Sequence, residues 1–558
     1  MNDGAMLNAY PDSMGGSLEK IAALLERPEM KDAFSSFYIL PSVFHTDLDR
    51  GFSVISYDLN RLYAKREDME RLRALGVDLK LDLILNHLSV LSPQFQDILR
   101  RGDASPYRDF FIDWNKFWAG CGPMTQEGYI LPDDKWIREM FFRKPGLPLL
   151  MVRLPDGRDV PYWNTFYQEV RYDEVDAQDL MRSMDDIQYG EAERLSRAIN
   201  EELRAGVCPA HMALAGFEAY RERAAALMET RRKYLGQMDL NLKSELVWAY
   251  YDQTLARLEA YGASIVRLDA FAYAPKAPGR RNFLNEPDTW EVLDRVKGLA
   301  DRHHLTLLPE IHASYAEKSY KTVSEKGFMT YDFFLPGLLI DAIESRDADT
   351  LLSWAREIRE SGLRVVNMLG CHDGIPVLDL KGMIPEERIQ ALIDLIVARG
   401  GLVKNLHGQK NVYYQVNAAY FSALGADERK MLLARAIQLF MPGKPQVWYL
   451  DLFAGENDME AVARGGAAGH KEINRTNLSM SRIDEALGRP VVQGQLELLR
   501  IRNTCPAFGF DAQMRIEQQE KHRFSIEWRR NGCTARLDAD LAGCAFEVTL
   551  DGRTAFAQ

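Results

Sequence analysis

The sequence predicts an α/β protein built on a (β/α)8 barrel, a TIM barrel, with inserted loop domains and a small C-terminal β-domain. Three observations lead there. Short apolar runs alternate with amphipathic, helix-like stretches along most of the chain, the pattern of parallel strands covered by helices. Four of those runs end in polar side chains, at the place where a barrel carries its chemistry. After about residue 490 the rhythm changes to short strands around turns such as Asn531-Gly532 and Asp551-Gly552.

The elements follow in order. Phe37 to Pro41 reads as a strand, Arg66 to Leu75 as a helix, and Val77 to Leu85 as a second strand ending at Asn86-His87. Further strands are expected at Ser264 to Leu268, Leu305 to Pro309, Tyr331 to Leu335, Arg364 to Leu369 and Gln446 to Tyr449, with helices at Leu242 to Tyr261 and Thr289 to His303. Residues 88–165, rich in aromatics, Gly and Pro, interrupt the barrel, as does a long excursion over 374–430. A third interruption, about 171–236, is charged and helical, with Leu180, Met184 and Ile187 at helical spacing and Pro209 separating two helices. The expected division is therefore 1–87 first part of the barrel, 88–165 an inserted domain, 166–236 a helical insertion, 237–373 barrel core, 374–430 a second inserted loop domain, 431–490 the end of the barrel and 491–558 the C-terminal β-domain. Within the last, Arg523 to Trp528, Cys533 to Leu537 and Ala545 to Leu550 read as strands.

Composition removes several function classes. Hydrophobic residues at 46% and charged residues at 27% of 558 exclude disorder as the main state and permit a large core. A formal charge of -12 disfavours nucleic acid as a partner. No apolar run approaches the roughly 20 residues of a membrane span. Met1 to Tyr10 lacks a basic segment followed by an apolar one, and the 6 Cys are scattered without a CxxC, so a reduced, cytoplasmic protein is expected. No spacing of Asp, His or Cys suits calcium or zinc, and no Gly-rich nucleotide loop is evident, so neither metal nor cofactor is expected.

The chemistry lies at the strand ends. They read Asp82-Leu83-Ile84-Leu85-Asn86-His87, Val266-Arg267-Leu268-Asp269-Ala270, Leu307-Leu308-Pro309-Glu310-Ile311-His312 and Leu369-Gly370-Cys371-His372-Asp373. A carboxylate closing an apolar strand costs several kcal/mol, of order 2–7 even for a neutral polar group, unless it is paired or used. One such residue is usually a cap or a structural ion pair. Three, each with a basic neighbour at the same end of successive strands, point to a shared site.

These four segments resemble the ordered motifs of the α-amylase superfamily of retaining glycoside enzymes. More closely, the chain resembles the sucrose phosphorylase group, with its glucosylglycerate and glucosylglycerol relatives. The supporting text includes Asp49-Arg50-Gly51-Phe52, Asn86-His87-Leu88-Ser89, Pro145-Gly146-Leu147-Pro148, Tyr414-Gln415-Val416-Asn417 and Ile473-Asn474-Arg475. It spans nearly the whole chain except 171–236. The resemblance implies Asp269 as nucleophile, Glu310 as acid then base, and Asp373 as stabiliser of the oxocarbenium-like charge. Arg267, on the same strand face as Asp269, is expected to keep it ionised, and Glu310 to be raised in pKa by neighbouring carboxylates and burial. His87 and His372 would hold sugar hydroxyls, Asp49 and Arg475 would close the far end of a one-glucose pocket, Phe52 would pack beneath the sugar and Tyr273 would line the cleft. His312, Gln237 and Gln415 complete the expected substrate contacts.

The glucosyl-enzyme needs an acceptor. A phosphate acceptor must find cations and donors beside two carboxylates, for which Arg143, Lys144 and Tyr414 are the implied ligands. Two departures from the group bear on this. Lys144 stands where sucrose phosphorylases have arginine, which forfeits a planar fork. Val412-Tyr413 replaces an acidic residue, which helps handle the fructosyl half in the group, and a leucine; this argues against plain fructose as leaving group and favours an acidic or smaller aglycone such as a phosphorylated sugar, glycerate or glycerol. The 171–236 insertion is open to three uses, as a lid, a homodimer contact or a specificity wall, beside the plainer one of a solvated hairpin. The sequence thus predicts a retaining phosphorylase taking a small α-glucoside and inorganic phosphate to α-glucose 1-phosphate. A hydrolase or transglucosidase on the same scaffold is the alternative, and a non-catalytic barrel subunit a more distant one.

Overall fold

The computed structural model describes residues 3–140, 142, 146–405 and 413–558. Eight parallel strands form the barrel: β1 Met6–Ala9, β2 Ser36–Ile39, β3 Asp78–Ile84, β4 Ala263–Asp269, β5 Thr306–Pro309, β6 Thr330–Asp332, β7 Val365–Met368 and β8 Lys444–Trp448. The hydrogen-bond ladder runs β5-β4-β3-β2-β1-β8-β7-β6, so β1 pairs with both β2 and β8 and the seam lies between β5 and β6. In β3, Leu79, Leu81 and Leu83 alternate with Lys80 and Asp82, and all five are buried. Strict alternation in a strand covered on both sides puts the leucines on one face and the polar pair on the other.

The helices show the expected apolar stripes. In Asp349–Glu360 the buried residues are Leu351, Leu352, Trp354, Ala355 and Ile358, spaced three and four apart. Each large side chain so buried contributes roughly 1.5–3 kcal/mol. The Trp354 indole N–H donates to the buried Asp332 carboxylate at 3.1 Å, tying this helix to the end of β6. Beyond shifts of one or two residues, one boundary and one additional strand depart from expectation. β6 stops at Asp332, whose carboxylate accepts the N–H groups of Phe334 and Leu335 and so caps a helix beginning at Leu335. β1 is a four-residue strand with no β-branched residue, which periodicity does not reveal.

Leu88–Asp133 and Gly146–Asp239 form a second compact unit. Its strands Leu149–Arg153 and Asp159–Trp163 pair antiparallel, as do Gln168–Tyr172 and Arg232–Asp239. Between the latter two lie helices Ala177–Ser183, Tyr189–Arg204 and Arg221–Thr230, with Pro209 opening a short 3-10 turn between the second and third. Leu180, Leu195 and Met228 from these helices, with Met184 and Ile187 from the connection after the first helix rather than from a continuous helical stripe, form a core of their own. The charged segment is thus a packed helical layer framed by a β-ribbon.

The 374–430 excursion holds a small three-stranded antiparallel sheet and the helix Glu386–Ala398. The C-terminal sheet is a five-stranded meander over Gln513–Glu520, Arg523–Arg530, Cys533–Asp540, Ala545–Leu550 and Arg553–Ala557. Its turns at Asn531-Gly532 and Asp551-Gly552 take positive φ at both residues, 53° and 78°, then 48° and 75°, as tight two-residue hairpins require. The helix Pro490–Thr504 precedes this sheet.

Candidate active site

The carboxylates of Asp269, the last residue of β4, and Glu310, the first after β5, meet at one guanidinium. Arg267 Nη1 lies 3.0 Å from Asp269 Oδ1 and Nη2 lies 2.6 Å from Glu310 Oε1. Alternation puts Arg267 on the same strand face as Asp269. The guanidinium is buried, and its Nη1 also donates to Asp82 Oδ1 of β3 at 2.6 Å. Tyr38 of β2 donates to the same oxygen at 2.9 Å. A buried arginine is tolerable only with its charge compensated, and here three carboxylates surround it.

The electrostatics correct one expectation. Burial acts first on both carboxyl groups and favours the protonated forms. For Asp269, facing Glu310, Asp82 and Asp373, burial outweighs Arg267 and the pKa lies well above the carboxylate range. For Glu310, Arg267 and His312 outweigh burial and pull the pKa down. The sequence led us to expect a raised Glu310 and an Arg267-ionised Asp269. Glu310 has both the Arg267 contact and His312 beside it, whereas Asp269 faces further carboxylates, and that reverses the order. The two titrate as a pair.

Asp373, after β7, forms the third corner. Its carboxylate meets Lys471 Nζ at 2.8 Å, His372 Nε2 at 3.1 Å and Arg475 Nη2 at 3.8 Å. Burial opposes its charge, but His372 and Lys471 outweigh it and hold the carboxyl well below the usual range. Its backbone carbonyl accepts from Gln415 Nε2 at 2.5 Å and Asn417 Nδ2 at 2.7 Å. Gln415 thereby anchors the Asp373 loop. Asp49 is half-exposed, 3.8 Å from Arg475 Nη1 and 3.4 Å from Lys471 Nζ. Arg475 itself donates to the His372 carbonyl at 2.8 Å.

Phe52 stacks on His372 with centroids 4.9 Å apart and planes 13° from parallel. His87 pairs through Nε2 with the Phe52 carbonyl at 2.9 Å. Gly51 makes this turn possible. Its φ is +123°, and a Cβ there would lie 2.3 Å from the Ser42 backbone nitrogen. Gly51→Ala should therefore displace Asp49 and Phe52 together, costing about 1–3 kcal/mol of stability and most activity; thermal unfolding and a turnover assay would measure both.

His312 lies 3.6 Å from Glu310 Oε1 and 3.5 Å from Asp379 Oδ2, its ring stacked on Phe333 at 3.8 Å. Tyr273, in the 3-10 turn Phe271–Tyr273 that follows β4, packs on Phe283 at 4.7 Å. Gln237 belongs to the second unit, where its N–H donates to the Tyr167 carbonyl at 3.0 Å. Arg143, Lys144 and Val412 lie outside the described residues. Tyr414 contributes backbone to the strand Tyr413–Asn417. Among the described residues, no group of three or more His, Cys, Asp or Glu is placed to hold a metal ion.

Sequence reasoning missed Asp82 and Lys471 as members of the site, and Asp379 as the carboxylate behind His312. Asp82 carries a signal, since a charge alternating with leucines inside a buried strand must face a polar interior. Lys471 and Asp379 sit in the 3-10 segments Gly466–Asn474 and Leu378–Leu380, where no apolar periodicity predicts direction.

No protein-family model matches the chain. A sucrose 6(F)-phosphate phosphorylase of Ilumatobacter coccineus is 48% identical over 560 residues, 98% of this chain and 96% of the relative. The crystal structure of sucrose 6F-phosphate phosphorylase from Thermoanaerobacter thermosaccharolyticum superposes with TM-score 0.80 at 30% identity, covering 100% of this chain and 98% of that one. An α-amylase from H. orenii shares the fold, with TM-score 0.59 at 14% identity over 97% of this chain and 90% of the other. Near-half identity across almost the full length of both proteins, on an eight-stranded barrel of the α-amylase type, shows that this chain belongs to the sucrose phosphorylase-like glycoside phosphorylases, transferases that reversibly split small α-glucosides with phosphate.

Proposed function

We propose that the substrate is sucrose 6F-phosphate, that Asp269 is the nucleophile and that Glu310 is the acid and then the base. Asp269 Oδ attacks the anomeric carbon while Glu310 gives its proton to the departing fructosyl oxygen. Phosphate then attacks the same carbon, Asp269 leaves, and Glu310 takes the proton back, which retains configuration. The observation that carries this reading is the single Arg267 fork holding both carboxylates. Sharing one guanidinium keeps the two groups close, as double displacement needs; because they titrate as a pair with the proton favouring Asp269, that proton must pass to Glu310 as substrate enters, before the first step. Asp373, held ionised by His372, Lys471 and Arg475, supplies negative charge where the sugar ring becomes positive.

The relative from Ilumatobacter supports a phosphorylated aglycone, as does the replacement of an acidic residue by Val412. The six cysteines are all free, which supports a reducing compartment, and we place the enzyme in the cytoplasm.

The test incubates the protein with sucrose or sucrose 6F-phosphate, with and without inorganic phosphate. Glucose 1-phosphate should form only when phosphate is present, at least about tenfold faster from the phosphorylated sugar, the difference one charge-assisted hydrogen bond can make. Free glucose at a rate indifferent to phosphate would make the enzyme a hydrolase.

A further inference from the structure

We propose that Asp379 is a positioning residue for phosphorolysis: it holds His312 as a fixed imidazolium beside Glu310, and so lets the glucosyl-enzyme be opened by a phosphate anion rather than by water. The proposal rests on the reading of Asp269 and Glu310 given above.

The geometry comes first. Asp379 sits in the 3-10 turn Leu378–Leu380, six residues beyond Asp373, and is 2% exposed. Its Oδ2 lies 3.5 Å from His312 Nδ1, while His312 Nε2 lies 3.6 Å from Glu310 Oε1, the oxygen that also meets Arg267. One imidazole thus spans two buried carboxylates, with a nitrogen for each. The ring cannot swing away, because Phe333 stacks on it at 3.8 Å and 22°. The groups facing His312 include Glu310 from the end of β5, Asp379 from the 3-10 turn and the uncharged Phe333 from the segment after β6.

Each nitrogen faces a carboxylate oxygen, at 3.5 and 3.6 Å, too long for a firm hydrogen bond but close enough for a positive charge on the ring to be held by both. Burial alone would drive His312 toward the neutral form; Asp379, followed by Glu310, outweighs it and pushes the pKa up to about 10. Asp379 carries no second cation that would compete for it among its principal neighbours. A carboxylate that fixes the tautomer and charge of a histidine from behind is a common supporting arrangement. What it supplies here is positive charge next to a pair of acidic groups that would otherwise repel phosphate. Water needs no such charge.

The consequence is a split between two reactions of one intermediate. In Asp379→Asn, His312 loses the neighbour that contributes most to its charge, and its pKa falls toward the ordinary 6.5 or so. An imidazolium is present below its pKa, so the variant keeps the cation in acid and loses it as pH rises through neutrality, whereas the wild type keeps it throughout. Phosphorolysis and phosphate-independent glucose release would be measured side by side from pH 6 to 9. We expect the KM for phosphate to rise about tenfold at pH 8, with a smaller rise at pH 6, and glucose release to change less than about threefold. Asp379→Glu should restore most of the phosphate KM.

A folded Asp379→Asn with the wild-type phosphate KM and pH profile would overturn the proposal. So would equal loss of both reactions, which would make Asp379 merely structural. If the variant does not fold, histidine-labelled wild-type protein decides by NMR, with the His312 signal assigned through its absence from His312→Gln. A His312 still protonated at pH 8 supports the proposal, and a midpoint at or below pH 7 ends it. A wild-type enzyme that yields no glucose 1-phosphate at all would instead sink the parent reading, whatever the variant does.

Discussion

Asp269→Asn should lower glucosyl transfer by more than about 10³-fold, in both directions, while the protein melts at the wild-type temperature or above it. The first half follows from the nucleophile's role, since an amide cannot form the glycosyl ester, and removing a group that acts as part of a unit costs most of the catalysis. The second half follows from the electrostatics of the folded site. Asp269 is buried against Glu310, Asp82 and Asp373, and its pKa is raised well above the carboxylate range. A carboxyl whose folded pKa exceeds its unfolded value of about 3.9 costs stability once pH rises past that unfolded value. At pH 7 the amide, nearly equal in shape, removes this cost and can still accept from Arg267. Activity is assayed by glucose 1-phosphate formation and stability by calorimetry. A variant with a melting temperature many degrees lower would show that Asp269 holds the barrel together, and an active one would remove it from the chemistry.

Arg267→Met is expected to have the largest effect on stability, a loss of about 3–5 kcal/mol at pH 7. The side chain is 2% exposed and lies within 3.0 Å of three carboxylates, those of Asp82, Asp269 and Glu310. Methionine fills similar volume, so the loss reads the charge and not a cavity. The pH dependence gives the sign. Without the guanidinium, Glu310 loses the largest influence lowering its pKa. Carboxyl groups raised above their unfolded values of about 4 penalise the fold as pH rises beyond 4. The deficit relative to wild type should therefore shrink between pH 7 and pH 5. Urea unfolding at both values measures it, and a deficit that stays constant would refute the electrostatic account.

What the chain revealed before its structure, and what it hid, divides along physical lines. The strand ends Asn86-His87, Arg267 to Asp269, Glu310 to His312 and His372-Asp373 were legible because a polar residue closing an apolar run is an anomaly visible locally. The hairpin turns at Asn531-Gly532 and Asp551-Gly552 were legible because only certain residues tolerate positive φ twice in succession. Lys471 was not: it reaches Asp373 across 98 positions of sequence from the 3-10 segment Gly466–Asn474. Asp379 was hidden for the same reason, since nothing in a short 3-10 turn says which way a side chain aims. Asp82 stood in plain view as part of a strand end, but its partnership with Arg267 spans 185 positions. The pKa directions of Asp269 and Glu310 were not legible, because they depend on how Arg267 and His312 are shared between the two carboxyl groups, which no pattern encodes.

The polar face of β3 carries one more lesson. Beneath Asp82, Lys80 is fully buried, its Nζ donating to Gln446 Oε1 of β8 at 2.8 Å and to the Tyr331 hydroxyl of β6, and lying 3.8 Å from the centre of the Tyr38 ring. Four strands are thereby stitched through the middle of the barrel by groups that each depend on the others being present. Such a floor evolves by concerted exchange rather than by drift: a relative that replaces the lysine should be found to have altered the glutamine or the tyrosines in step, and grafting one member alone between family members is a recipe for a misfolded hybrid.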